Sequence, residues 1–122
     1  MIASPFQSSA RLLFFVALIA ATVLAVMPQP PQLPTDRFGD KVNHMLAFAT
    51  LAALAAAGWP RASRWRVIER LSFLGALIEV VQSIPALHRD CDIRDWIADT
   101  LAVAAVTGIA ALIARTRKGR GG

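Results

Sequence analysis

Apolar residues in this chain fall into four long runs, separated by polar or proline-rich segments. The first run, residues 12–27, contains no charged residue, and the segment after it has four prolines among its first seven residues, which excludes helix there. The runs predict an all-α protein of one domain, residues 1–122, with a basic, glycine-rich tail at 115–122 that should fray. The predicted helices span about 12–27, 41–59, 67–84 and 95–114.

The lengths of these runs suit a lipid bilayer. Sixteen residues at about 1.5 Å per residue reach ~24 Å, slightly short of a ~30 Å hydrocarbon core, and Arg11 can extend toward the interface. A cleaved secretory signal peptide is the alternative for this first run. The third run is the most polar, because it begins near Glu69 and Arg70 and ends near Glu79 and Gln82.

Composition agrees with a membrane protein. Hydrophobic residues make up 56% of the chain and charged residues 17%, where a soluble domain carries about 25% charge. A net charge of +5 would suggest nucleic acid as the partner of a soluble protein, but in a membrane protein it marks cytoplasmic loops. We therefore expect the lipid bilayer, and no nucleic acid, as a partner. A single cysteine excludes an internal disulfide and a cysteine-based zinc site.

The distribution of basic residues predicts the topology. With four spans the two termini share a side, and that side holds nine of the 13 lysines and arginines. Cytoplasmic segments carry the excess of Lys and Arg, so both termini should be cytoplasmic. With three spans, either the basic tail or the basic 61–66 loop would face outward. We therefore predict a four-helix transmembrane bundle rather than three spans and a surface helix.

Carboxylates follow a different distribution. In this topology seven of the eight lie at or near the outer face, and Glu69 alone is cytoplasmic. The bias in Lys and Arg does not explain this, because Asp and Glu contribute little to topology.

Three of the predicted helices carry polar stripes at matching depth, ~6–9 Å below the outer ends. Residues three, four or seven apart share a helix face, and an ionisable side chain facing lipid costs at least ~2.5–3.5 kcal/mol at the helix centre. The stripes should therefore face one another and form an outward-facing pocket, with Lys41 and Arg89 as counter-charges. Ordinary helix caps and anchors, or a network that only joins the helices, are the alternatives. The stripes are Asp40, Lys41 and His44; Glu79 and Gln82; and Asp92, Asp95 and Asp99.

These same residues resemble the motifs of the VanZ-like family, in the same order and over most of the chain from the second helix onward. The resemblance implies a small multi-pass protein of the bacterial inner (cytoplasmic) membrane, and it implies no particular reaction. The chain departs from the family pattern at Asp99, where Asn is usual, and at Ala102, where Gly is usual. The matching segments are Asp40-Lys41-x-x-His44-x-x-x-Phe48, Ile78-Glu79-x-x-Gln82, and Arg89 followed by Asp92-x-x-Asp95-x-x-x-Asp99-Thr100-Leu101.

Three functions are compatible with such a pocket. The first is a binding or accessory role in the cell envelope, with Lys41 and Arg89 holding a phosphate or carboxylate of a lipid or envelope precursor. The second is a membrane-embedded, metal-dependent hydrolase, and the third is a structural scaffold. Oligomeric state stays open, and a homo-oligomer is compatible with the sequence. Nitrogen and oxygen ligands for a divalent metal would come from His44, Glu79, Asp95 and Asp99.

Overall fold

Four α-helices make up most of the chain. The computed structural model describes residues 2–28, 32, 34, 37, 39–87 and 92–121, and none of these forms a strand. The prediction of an all-α protein is therefore confirmed. The helices are α1 (Pro5–Val26), α2 (Asp40–Gly58), α3 (Arg64–Gln82) and α4 (Ile93–Gly121), with a short 3-10 turn at Pro85–Leu87.

Both outer helices are longer than predicted. α1 begins at Pro5 because Ser4 caps it: the Ser4 hydroxyl accepts from the Gln7 backbone N–H at 3.1 Å, and the Gln7 side chain accepts from the Ser4 N–H. At the other end of the chain, α4 continues to Gly121, beyond the end near residue 114 that the sequence predicted. Arginine and lysine dominate this stretch, and both are good helix formers.

Helix α4 packs against both α2 and α3, and α1 packs mainly against α2. The apolar core between them includes Phe48, Leu51 and Val103. Gly75 also faces this core: a β-carbon at its position would lie 3.4 Å from Trp96 Cδ1 and 3.5 Å from Phe48 Cζ, both ordinary van der Waals contacts. At Gly58, where α1 crosses α2, a β-carbon would lie 3.0 Å from Arg11 Cγ.

The surface of the bundle is apolar. On α3, Phe73, Leu77 and Val80 form an exposed stripe with spacing i, i+4, i+7, and Phe73 is 65% exposed. Helices α1 and α4 expose similar stripes. By contrast, several charged and polar side chains are buried inside. Soluble monomers rarely expose contiguous apolar surfaces on this scale, so the distribution indicates association with a membrane.

Length and hydropathy distinguish two pairs of helices. Among the described helices, α1 and the 93–117 part of α4 are long and apolar enough to cross a membrane. The sequence predicted four such spans, and this criterion does not support α2 and α3. Each of these has 19 residues. Polar residues at the start of α2 and charged residues along α3 lower their hydropathy.

Candidate functional site

Three helix ends meet at one end of the bundle. The start of α2, the end of α3 and the start of α4 lie together because successive helices run in opposite directions. Gly39 is the N-cap residue of α2, with φ at 96°, a value that favours glycine. Asp40 follows it as the first helical residue. We call the polar side chains gathered at this end the polar cluster: Lys41, His44, Glu79, Asp95 and Asp99.

Burial distinguishes this cluster from ordinary polar residues at helix ends. His44, Glu79, Asp95 and Asp99 are all buried, and the most exposed of them, His44, is 8% exposed. Ionisable groups are almost never fully buried unless they are paired or bind a ligand. Lys41 is different, because its side chain is 45% exposed, and it forms the rim of the cluster.

His44, Glu79 and Asp95 form the centre of the cluster. Each offers one nitrogen or oxygen atom, and these three atoms all lie within 4.8 Å of one another. The sequence predicted that these side chains would lie together, and the structure brings them together. Imidazole and carboxylate groups at this separation can converge on one divalent cation with only small side-chain movements.

Two contacts between a nitrogen and a carboxylate oxygen connect the cluster across helices. His44 Nδ1 on α2 lies 3.8 Å from Asp99 Oδ2 on α4. Lys41 Nζ lies 3.9 Å from Asp95 Oδ1, as expected for a lysine acting as a counter-charge. Asp99 therefore lies beside the imidazole but outside hydrogen-bond distance of Nδ1, and a small movement of either side chain would let the carboxylate orient the ring, as carboxylates orient ligating histidines.

Asp92 takes part through its backbone. Its N–H donates to Glu79 Oε2 at 3.0 Å. Its carboxylate contacts Arg94 instead, accepting from the Arg94 backbone N–H at 2.9 Å and from Nε at 3.2 Å. The Arg94 backbone N–H, and then its guanidinium, lower the pKa of Asp92 below the ordinary value of 3.8. These contacts are therefore retained at neutral pH and are lost only when pH falls through the lowered pKa.

Gln82 is the most deeply buried of the predicted pocket residues whose side chains the structure describes, but it contacts a different element. Its Nε2 donates to the carbonyl of Ala25 at 2.8 Å, which joins the end of α3 to the last turn of α1. Its Oε1 is buried and has no hydrogen-bond partner among the described residues. The structure therefore gives Gln82 a role in holding α1 beside the polar cluster.

A second polar contact joins α3 to α4 below the cluster, and the sequence did not predict it. The hydroxyls of Ser72 and Thr100 lie 2.9 Å apart, and Trp96 Nε1 donates to the Ser72 carbonyl at 2.9 Å. The available signal was that small hydroxyl residues occur within otherwise apolar helices, where they often bond across to a neighbour. This contact fixes the face of α4 that carries Asp95 and Asp99.

Some predicted residues lie outside the described part of the chain. One is Arg89, the second proposed counter-charge. The Asp40 backbone is described, but its side chain is not.

Comparison with known proteins gave no match: no family model, no curated protein and no solved structure is significantly similar to this chain. The geometry of the polar cluster is thus the main guide to function.

Proposed function

We propose that this chain is a VanZ-like, four-span protein of the bacterial cytoplasmic membrane that binds the phosphate-bearing head group of an envelope lipid or precursor. In this arrangement both termini are cytoplasmic and the polar cluster opens toward the outer face. The apolar stripe on α3 supports membrane insertion of that helix, since Phe73, Leu77 and Val80 would otherwise face water. The division of basic residues, nine against four, supports the orientation.

The observation that carries a binding role is the burial of His44, Glu79 and Asp95 within 4.8 Å of one another. Replacing buried ionic groups with apolar residues is often neutral or stabilising, so a scaffold has no need of such a cluster. Buried ionisable groups inside a membrane bundle are functional candidates for the same reason. Contact with a ligand explains why these ionisable groups are buried together.

Lys41 determines the class of ligand that we propose. Its side chain at the rim is half-exposed, so its ammonium group can contact a phosphate at the membrane surface. The carboxylates below it can accept hydrogen bonds from the hydroxyl or amine groups of the same head group. The exposed apolar faces of the helices leave room for the lipid's acyl chains beside the protein.

The test is to identify lipid that stays bound to the purified protein. We expect mass spectrometry of the wild type in mild detergent to find a phosphate-bearing lipid enriched over its share in the membrane extract. Lys41→Gln should remove this enrichment, because it removes the charge that contacts the phosphate. Arg117→Gln is the matched control, since this exposed arginine lies at the opposite end of α4. A wild type whose bound lipid mirrors the bulk membrane would contradict a head-group site.

The topology has its own test. A reporter enzyme that is active only in the periplasm should be inactive when fused after Arg120 and active when inserted after Gln32. The second position precedes α2 and lies on the proposed outer side. Activity of the C-terminal fusion would exclude four spans with both ends in the cytoplasm.

The three-atom centre favours one further candidate function, a metal-dependent hydrolase acting on an envelope lipid or precursor. Three protein ligands leave a coordination position open for water or substrate, as in catalytic zinc sites. A cation there would supply a Lewis acid for a phosphate or carbonyl group and lower the pKa of bound water. His44, Glu79 and Asp95 would hold the cation, and Asp99 would orient His44.

A further inference from the structure

A cavity lies at the opposite end of the bundle from the polar cluster. It has a volume of about 430 Å³ and is formed by α1, the end of α2 and the start of α3. Aromatic rings form one wall: Trp59 contacts Phe14 and Phe15 edge to face, with ring centroids 5.3 Å and 5.8 Å apart. We call this cavity the basic groove, because Arg61, Arg66 and Arg70 also line it.

The charge of the basic groove has one sign. Three arginines line it, and none of the described lining residues is acidic. Arg66 and Arg70 are four residues apart on α3, so they project from one face of the helix. All three arginines are exposed, while Leu71 and Ala55 beside them are buried. The groove thus combines a positively charged rim with an apolar floor.

The position of Trp59 is fixed by neighbouring contacts. The Arg11 guanidinium lies 5.3 Å from the centre of the Trp59 ring, and Arg11 Nε donates to the Gly58 carbonyl at 2.7 Å. Tryptophan and arginine are typical of the membrane–water interface, where one side of a site meets head groups and the other meets acyl chains. The groove therefore lies where both parts of a lipid are within reach.

We infer that the basic groove binds an anionic phospholipid, with the lipid phosphate at the three arginines and the upper acyl chain against Phe14, Phe15 and Trp59. Charge complementarity supports this occupant, because guanidinium groups match phosphate oxygens and each basic residue near an anionic membrane surface strengthens binding. The inference rests on the proposed membrane insertion and on none of the chemistry of the polar cluster.

Quenching of Trp59 fluorescence tests the inference. The full-length protein is placed in vesicles of phosphatidylglycerol and phosphatidylcholine in equal amounts, with brominated acyl chains on one lipid or the other. The Trp59 signal is the difference between wild type and Trp59→Phe. We expect brominated phosphatidylglycerol to quench this signal more strongly than brominated phosphatidylcholine does. Arg66→Gln or Arg70→Gln should each lower the preference about fivefold, and the triple variant with Arg61→Gln should abolish it.

The controls separate the groove from general surface charge. Arg115→Gln with Arg117→Gln removes two arginines outside the groove and should leave the preference unchanged. Glu79→Ala should also leave it unchanged, so failure of the head-group proposal would not affect this result. Equal quenching by both lipids in the wild type would overturn the inference. Low quenching by both lipids, which is expected if an acidic protein segment occupied the groove, would overturn it too.

Discussion

Glu79→Ala is expected to reduce the lipid retained by the purified protein by about tenfold or more, the effect of losing a charge-assisted hydrogen bond. Glu79 is central to the polar cluster, since it lies within 4.8 Å of His44 and Asp95 and also accepts from the Asp92 backbone N–H. The same substitution removes the acceptor of the Asp92 N–H. The protein should remain folded and inserted, which circular dichroism and the reporter fusions would show.

Glu79→Gln separates the two contributions of this side chain. The amide keeps an oxygen that can accept from the Asp92 N–H, but it lacks the negative charge. Retention between wild type and Glu79→Ala would indicate that hydrogen bonding to the ligand matters, whereas retention as low as in Glu79→Ala would indicate charge or metal ligation. Asp92→Asn is the matched control, because the Asp92 carboxylate contacts Arg94 rather than the cluster. Wild-type retention in Glu79→Ala would exclude the cluster as the binding site.

A divalent cation is expected to bind at the centre of the polar cluster. Titration calorimetry of the purified protein with Zn²⁺ should give one site per chain. His44→Ala, Glu79→Ala or Asp95→Ala should each weaken it by at least about 100-fold, because even residues that only orient metal ligands contribute 10–100-fold. Affinity should fall as pH decreases, since protons compete with the cation for the imidazole and the carboxylates.

Asp99→Asn distinguishes a ligand from a residue that orients one. Asp99 lies 3.8 Å from His44 Nδ1 and is not one of the three converging residues. We expect its variant to weaken Zn²⁺ binding by roughly 10-fold, less than the three ligand variants do. An affinity that none of these substitutions changes would place the metal elsewhere and would contradict the hydrolase candidate.

The sequence predicted the centre of the site well because polar side chains on apolar helices avoid lipid and therefore pack against one another. Spacing of three and four residues placed Lys41 with His44 on one face and Asp95 with Asp99 on another. The cost of exposing such groups to lipid then required these faces to meet. The structure brings His44, Glu79 and Asp95 together as this reasoning predicted. Their function stays a prediction, because proximity alone does not identify a ligand.

Spacing determines a helix face but not the direction of each side chain, and this accounts for what the sequence missed. Asp92 lies on the same stripe as Asp95, yet its carboxylate contacts Arg94. Gln82 lies on the same stripe as Glu79, yet it donates to the Ala25 carbonyl on α1. The basic groove also escaped sequence analysis, because it forms only where α1 crosses the loop between α2 and α3, and the arginines there indicated topology alone.

The contact of Ser72 with Thr100 and Trp96 has a consequence for biogenesis. In the proposed four-span arrangement α3 is less apolar than an ordinary span, whereas the 93–117 part of α4 is long and apolar enough to cross a membrane. The Ser72–Thr100 and Trp96–Ser72 hydrogen bonds join the two helices below their polar residues. We therefore expect α3 and α4 to insert together as a helical hairpin, in which the apolar surface of α4 favours insertion of the pair. A ribosome that stalled before α4 would leave α3 at the membrane surface and the polar cluster unassembled.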